Sequence, residues 1–280
     1  MFVKRLLSGI VLLGIAVLVI VFGGVSLAGI LLLLSLTAFY ELGKALGIKK
    51  KGENNALMYL GFAGIVIYYV VLLFTEDTFL LGMIATFMVI AYLCLYVFTF
   101  PKYKVEDIMS AIFSFAYAPV MLAFVYLTRN LQDGHLIAWM IIISSWGYDT
   151  CAYCVGTLTA KTIGNHKAFP KLSPKKSIEG IVGGIIGAAV LGWLYGHFVA
   201  EPYSGLESVS WILAGISAIG AVIAQVGDLA ASAVKRDTNI KDYGKIIPGH
   251  GGILDRFDSM IFTAPIIFFL AEIFLFAVKG

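Results

Sequence analysis

VSWILAGISAIGAVIAQVGDLAASAVKRDTNIKDYGKIIPGHGGILDRFD, residues 209–258, runs apolar as far as Val234, turns at Lys235 into a segment crowded with Lys, Arg, Asp, His and Gly, and ends where the next apolar run opens. An apolar stretch of ~20 residues is what crosses a bilayer as a helix, so the polar segment between two such stretches belongs at a membrane surface. Asp228 lies inside the first run, where an ionised group is costly and therefore marks function by default. Function is to be sought here.

The pattern repeats outward from this segment. Hydrophobic residues make up 60% of the 280 and charged residues only 13%, a composition that excludes a water-soluble domain and fits a polytopic membrane protein. Apolar runs fall at residues 6–22, 25–42, 57–74, 78–98, 108–127, 136–155, 181–199, 209–234 and 253–278. They predict an all-α polytopic integral membrane protein of about nine transmembrane helices. Basic residues concentrate at the cytoplasmic ends of spans. With the N-terminus cytoplasmic, the inner segments hold 18 of the 20 Lys and Arg residues and leave only Arg129 and Lys279 outside. The first span has the basic and small flanking residues of a cleavable signal, but this segregation depends on its retention. Residues 1–130 are expected to be scaffold helices that could also carry oligomer contacts. Residues 131–280 are expected to form the catalytic region, with cytoplasmic loops at 156–180 and 235–254.

Acids converge on the cytoplasmic side. Asp149 and Asp228 each lie about seven residues before the inner ends of the sixth and eighth spans, which at ~1.5 Å per residue puts both roughly 10 Å below the surface. Asp255 and Asp258 open the ninth span, and their i, i+3 spacing places both on one helix face, as a shared metal would require. Each has a plainer reading. Asp255 and Asp258 could complement the positive end of a helix, Asp149 could make a buried hydrogen bond, and Glu272 reads as packing. Asp228, inside an apolar run, needs a partner or a metal.

Cations supply the opposite charge. Lys235, Arg236, Lys241 and Arg256 are placed to neutralise phosphates that share a hard cation with the carboxylates. The Pro248-Gly249-His250-Gly251-Gly252 run lets backbone approach an anion just before a helix N-terminus. No Walker-type GxxxxGK is present. In the other inner loop, KLSPKKSIEG at 171–180 puts Lys175 and Lys176 beside Ser173 and Ser177, with Glu179 able to orient a lysine; Ser177 to Gly180 also suits a helix N-cap. Cys94, Cys151 and Cys154 read as helix packing, since the CxxC sits within an apolar segment.

Residues 232–258 resemble the signature of the bacterial phosphatidate cytidylyltransferases, also called CDP-diacylglycerol synthases. The matching positions are Ser232, Val234, Lys235-Arg236, Lys241-Asp242, Gly244, Ile247-Pro248-x-His250-Gly251-Gly252 and Asp255-Arg256-x-Asp258. SPKKSIEG at 173–180 and WGYDTCAYCVG at 146–156 are similar to further blocks of that family, as are Gly164, His166, Lys167, Gln225, Gly227 and Asp228. Cys151 departs from the small residue, such as glycine, expected there. The resemblance covers the C-terminal half in detail, and the first five spans match only as hydrophobic helices.

The resemblance implies a nucleotidyltransferase that makes CDP-diacylglycerol and pyrophosphate from CTP and phosphatidate for phospholipid synthesis, with Mg²⁺ or another divalent cation and room for a second cation. It would work in a lipid bilayer at the cytoplasmic face of a bacterial inner membrane, with a homo-oligomer allowed and no nucleic-acid partner. Asp228, Asp255 and Asp258 would be metal ligands and catalytic groups, with Asp149 a further ligand or an acid that supports the ligands from behind. His250 and Lys241 would act catalytically, His250 as donor to the leaving pyrophosphate. Ser173, Lys175, Lys176, Ser177, Glu179, Ser232, Lys235, Arg236, Asp242, Gly251, Gly252 and Arg256 would bind substrate. Another lipid cytidylyltransferase or a polyprenol kinase would share these features. A secondary transporter would instead place its acids near the midplane, with two exits.

Overall fold

Glycine-faced apolar helices dominate the computed structural model, which describes residues 13–48, 55–75, 77–162, 164, 166–204, 208–246 and 251–279. Helix makes up 83% of it, and among the described residues seven helices are long and apolar enough to cross a membrane. Large apolar side chains such as Phe22, Phe74 and Phe98 point outward. That surface suits lipid, where the helix also satisfies every backbone polar group internally. The chain is an α-helical polytopic membrane protein.

Two compact units make up the chain: residues 1–126 with 237–257, and residues 127–236 with 258–280. The first contains α1 (Leu13–Phe22), α2 (Gly24–Ala45), α3 (Ala56–Thr75), α4 (Thr78–Thr99) and most of α5 (Val105–Asn130). Pro119 cannot donate to the helix ladder, and α5 widens there into a π-turn, Ala116–Val120. The Pro119 carbonyl is taken by the Tyr69 hydroxyl at 3.2 Å, which itself meets Ser35 Oγ at 2.7 Å. Asp77 caps α4 by accepting from Phe79 N at 2.8 Å. Among the seven long helices α4 is the least covered by the rest of the protein.

In the second unit the sixth apolar run is not one regular helix. It passes through short turns at Gly134–Ile137 and Trp139–Ile142 and a π-turn, Ile143–Gly147, before α6 (Tyr148–Thr162). The loop that follows holds a departure from the all-α expectation, an antiparallel hairpin of β1 (Lys167–Phe169) and β2 (Ser173–Ser177). Pro174 and the polar run around it cannot continue an apolar helix, and pairing satisfies the strand amides instead. Ser177 then caps α7 (Ile178–Ser204), its hydroxyl accepting from Gly180 N at 3.1 Å. The N-cap reading of this segment is therefore correct. α8 (Val209–Asp237) and α9 (Leu254–Lys279) complete the chain.

Close approach of α6 and α7 comes from Gly180, Gly183, Gly184 and Gly187, which lie on one face of α7. A Cβ on Gly180 would sit 2.9 Å from the Ala152 carbonyl, one on Gly184 2.6 Å from the Tyr148 ring, and one on Gly187 2.6 Å from Cys151 Cβ. Cys151 thus packs as the sequence suggests, whereas Cys94 and Cys154 are exposed. Gly227 lets α8 reach α9 in the same way, with its Cβ position 2.8 Å from the Asp258 carbonyl. Overfilling such a contact costs about 1–3 kcal/mol. Gly184→Val is expected to lower the thermal unfolding midpoint in detergent, and Gly215→Ala, with no atom within 4 Å of the added methyl, is expected not to.

Candidate active site

Gln225, Asp228 and Ser232 lie at i, i+3 and i+7 and so share one face of α8. Lys176, at the end of β2, reaches that face. Its Nζ is 2.5 Å from Asp228 Oδ2 and donates to Gln225 Oε1 at 2.8 Å. The buried Tyr148 hydroxyl donates to the same Gln225 oxygen, which fixes the amide with its oxygen toward the lysine. Ser232 Oγ lies 3.4 Å from Asp228 Oδ1. One carboxylate, one ammonium, one amide and one phenol are thereby tied together.

Lys176, Gln225 and Tyr148 border a cavity of about 490 Å³ lined also by Asp149, Lys175 and Ser177. Ala152 and Ile181 give it an apolar wall beside this polar one. Lys175 is exposed and Lys176 half-buried, so one lysine is set into the wall while the other faces out. The hairpin that delivers them is fixed at its base. Glu179, in the first turn of α7, holds the His166 ring through Nδ1 and accepts from His166 N at 3.3 Å. Glu179 thus orients the hairpin's histidine, where the sequence reading gave it a lysine. Arg236 Nε donates to the Leu172 carbonyl at 3.4 Å, so the hairpin is also tied to the end of α8.

Asp258 is only 7% exposed. It accepts from Ser259 N at 2.8 Å, and the Asp228 and Asp149 carboxylates act on it as like charges while Lys235 acts as the opposite one. Three acids on α6, α8 and α9 therefore share one electrostatic neighbourhood in the second unit.

Within the first unit, Asp255 braces the turn before α9. Its Oδ2 accepts from Tyr243 N at 2.9 Å and from Gly252 N at 3.0 Å, two amides that precede the helix. Gly251 has φ +87°, the left-handed region that favours glycine. Asp242, Lys241 and Arg256 are exposed, whereas Asp255 and Asp258 point inward. Ser173 is half-buried on β2. His250, like Pro248 and Gly249, lies outside the described residues.

A divalent cation can be judged against these donors. Carboxylate oxygens in excess are the hard ligands that Mg²⁺ takes, and Asp149, Asp228 and Asp258 supply them with cations alongside. Among the described residues, however, no group of three or more His, Cys, Asp or Glu side chains is arranged to hold a metal ion. The donor chemistry fits, with Lys176 occupying the Asp228 carboxylate.

Glu41 escaped the sequence reading. It ends the second apolar run, where an acid followed by Lys44 looks like an ordinary span boundary, yet it is 2% exposed. Its carboxylate accepts from Ile253 N at 3.2 Å and Leu254 N at 2.9 Å. The rule that flagged Asp228 applied to it equally.

A model of the Cytidylyltransferase family matches residues 3–274. The chain belongs to this family. It is 37% identical over 166 residues to a phosphatidate cytidylyltransferase of Staphylococcus aureus, covering 59% of this chain and 60% of that protein. To the phosphatidate cytidylyltransferase of Bacillus subtilis it is 41% identical over 150 residues, covering 52% of this chain and 51% of that one. The matched stretches thus span little more than half the length of these two relatives. A third phosphatidate cytidylyltransferase, from Staphylococcus epidermidis, is 31% identical over 273 residues, or 94% of this chain and 96% of the relative.

The Tyr148–Gln225 bond gives a direct check of the polar wall. Tyr148→Phe removes one buried hydrogen bond and is expected to destabilise the protein by about 1 kcal/mol, read as a lower midpoint in thermal unfolding; an unchanged midpoint would remove that bond from the account.

Proposed function

We propose that the protein transfers CMP from CTP to phosphatidate, giving CDP-diacylglycerol and pyrophosphate. The observation that carries this reading is Lys176, held between Asp228 and Gln225 at the wall of a cavity in a membrane-spanning member of the Cytidylyltransferase family. Relatives named phosphatidate cytidylyltransferase support the choice of substrates. In the reaction an oxygen of the lipid phosphate bonds to the α-phosphorus of CTP, and the bond from that phosphorus to the β-phosphate bridging oxygen breaks. With a second pKa near 6, a phosphate monoester is largely dianionic at neutral pH. No strong general base is needed, so positioning and charge neutralisation do the catalysis.

Lys175, Lys176 and Ser177 would grip phosphate oxygens from the hairpin, with Ser173 beside them. Lys235, Arg236, Lys241 and Arg256 would neutralise further phosphate charge, and His250 would donate to the departing pyrophosphate. Gly251 would let backbone approach an anion, Asp242 and Ser232 would each contribute to substrate binding, and Glu179 would hold the hairpin in place. Asp228 and Asp258 would hold Mg²⁺ or another divalent cation, with Asp149 as a further ligand, room for a second cation, and Asp255 one turn earlier on α9. Such an ion supplies Lewis-acid charge to the phosphates when bound. Lys176 would exchange its pairing with Asp228 for a phosphate oxygen as substrate binds.

The proposal includes nine spans with a cytoplasmic N-terminus. Seven long apolar helices support this count, and the shorter α1 and the broken 134–162 stretch would supply the other two. Basic residues then face the cytoplasm, which puts the site on that side of a bacterial inner membrane. Residues 1–130 would be scaffold, and α4 offers its outer face to lipid or to a second copy.

Purified protein with CTP, Mg²⁺ and phosphatidate is expected to release pyrophosphate, and a panel of other phosphorylated lipids to support little. A preference for a prenyl or ether lipid phosphate would move the reading to a related lipid enzyme, and silence with all of them would end it. Asp228→Asn and Asp258→Asn should each lower turnover by about a hundredfold or more, with gel-filtration profiles unchanged.

A further inference from the structure

We infer that Glu41, on a helix of the N-terminal half, is a positioning residue for the reaction, setting the first turn of α9 and the glycines before it. The inference rests on the proposed role of residues 251–258 in binding and catalysis. The first amides of a helix have no partner inside it, and most helices meet them with a side chain close by in sequence. α9 meets them otherwise. The amides of Ile253 and Leu254 both donate to a carboxylate more than two hundred residues away in sequence.

Charge and shape agree on the fit. A buried carboxylate finds at a helix N-terminus both hydrogen-bond donors and the positive end of the helix dipole. Gly244 and Gly252 form the cradle. A Cβ on Gly252 would lie 2.5 Å from both Glu41 oxygens, and one on Gly244 would collide with Oε1. Two of the signature glycines are therefore small because Glu41 occupies the space beside them.

A second carboxylate completes the clamp. Asp255 Oδ2 takes the amides of Tyr243 and Gly252, while Glu41 takes the next two, Ile253 and Leu254. The chain is thus held on both sides at the point where α9 starts. Since successive side chains turn by ~100° around a helix, the start of α9 sets the direction in which Asp255 and Asp258 point. Relaxing the clamp would leave both acids present and wrongly aimed.

Glu41→Gln keeps the volume but turns one acceptor into a donor facing backbone N–H groups. Hydrogen–deuterium exchange of the 251–257 stretch is expected to quicken. The kcat for pyrophosphate release is expected to fall about 10–100-fold, the range for groups that orient catalytic side chains, while KM for CTP stays within about threefold. Leu42→Ala, a neighbouring buried apolar truncation, should lower the unfolding midpoint and leave kcat intact. If Glu41→Gln cannot be purified folded, Gly244→Ala presses a methyl against the same carboxylate and should give the same signature. Unchanged exchange, unchanged kcat, or a loss no greater than that of Leu42→Ala would overturn the inference. A wild-type protein that releases no pyrophosphate would fail the proposed function instead, and the exchange result would still decide whether Glu41 holds the turn.

Discussion

A carboxylate set inside an apolar helix must be matched by a charge or by hydrogen-bond donors, and at Asp228 the match is Lys176, 2.5 Å away. Much of the second unit can be understood as the means of delivering that lysine. It comes on the short β-hairpin, which is fixed by Glu179 at its base and by Arg236 at its turn. The glycine face of α7 brings α6 close enough for Tyr148 to reach the Gln225 that Lys176 also bonds. Each contact is modest alone, since neither member of the ion pair is fully buried. Together they fix where one positive charge sits.

That economy suits the proposed chemistry. Transfer between two phosphate-bearing substrates brings many negative charges together, and a site bordered by membrane has little water to screen them. Acids on three helices and lysines from a hairpin and a helix end give a neighbourhood that holds both signs. Its groups pair with one another in the structure, and in the proposed reaction they would pair with phosphates and a cation. In the first unit the same logic appears in the backbone, where Asp255 holds the Gly252 amide and Glu41 the two amides that follow it.

Much of this was legible in the sequence for physical reasons. Hydrophobic runs of span length declare membrane helices with little ambiguity, because the bilayer leaves few other structures available. Asp228 declared itself by standing in such a run, and Ser177 by its capping pattern. The π-turn at Ile143–Gly147 has no residue in its run that marks it, whereas Pro119 does mark the one at Ala116–Val120, and the hydrophobic run hides both. The hairpin went unseen because 167–177 reads as a polar loop whichever way its amides pair. Glu179 was given a lysine because sequence proximity favoured one, while its partner, His166, becomes a neighbour only when the hairpin folds. Glu41 was lost because its partners are backbone amides at the far end of the chain, and backbone has no letter in a sequence.

The central claim is that Asp228 and Asp258 form one cation-dependent phosphate site with Lys176 as its movable counter-charge. Manganese binding, followed by electron paramagnetic resonance on purified protein with and without CTP, tests this most directly. The account predicts that the nucleotide tightens Mn²⁺ binding, that Asp258→Asn weakens it about tenfold or more, and that Lys176→Met strengthens binding of the bare ion by freeing the Asp228 carboxylate. Equal Mn²⁺ affinity in wild type and in both variants would contradict it.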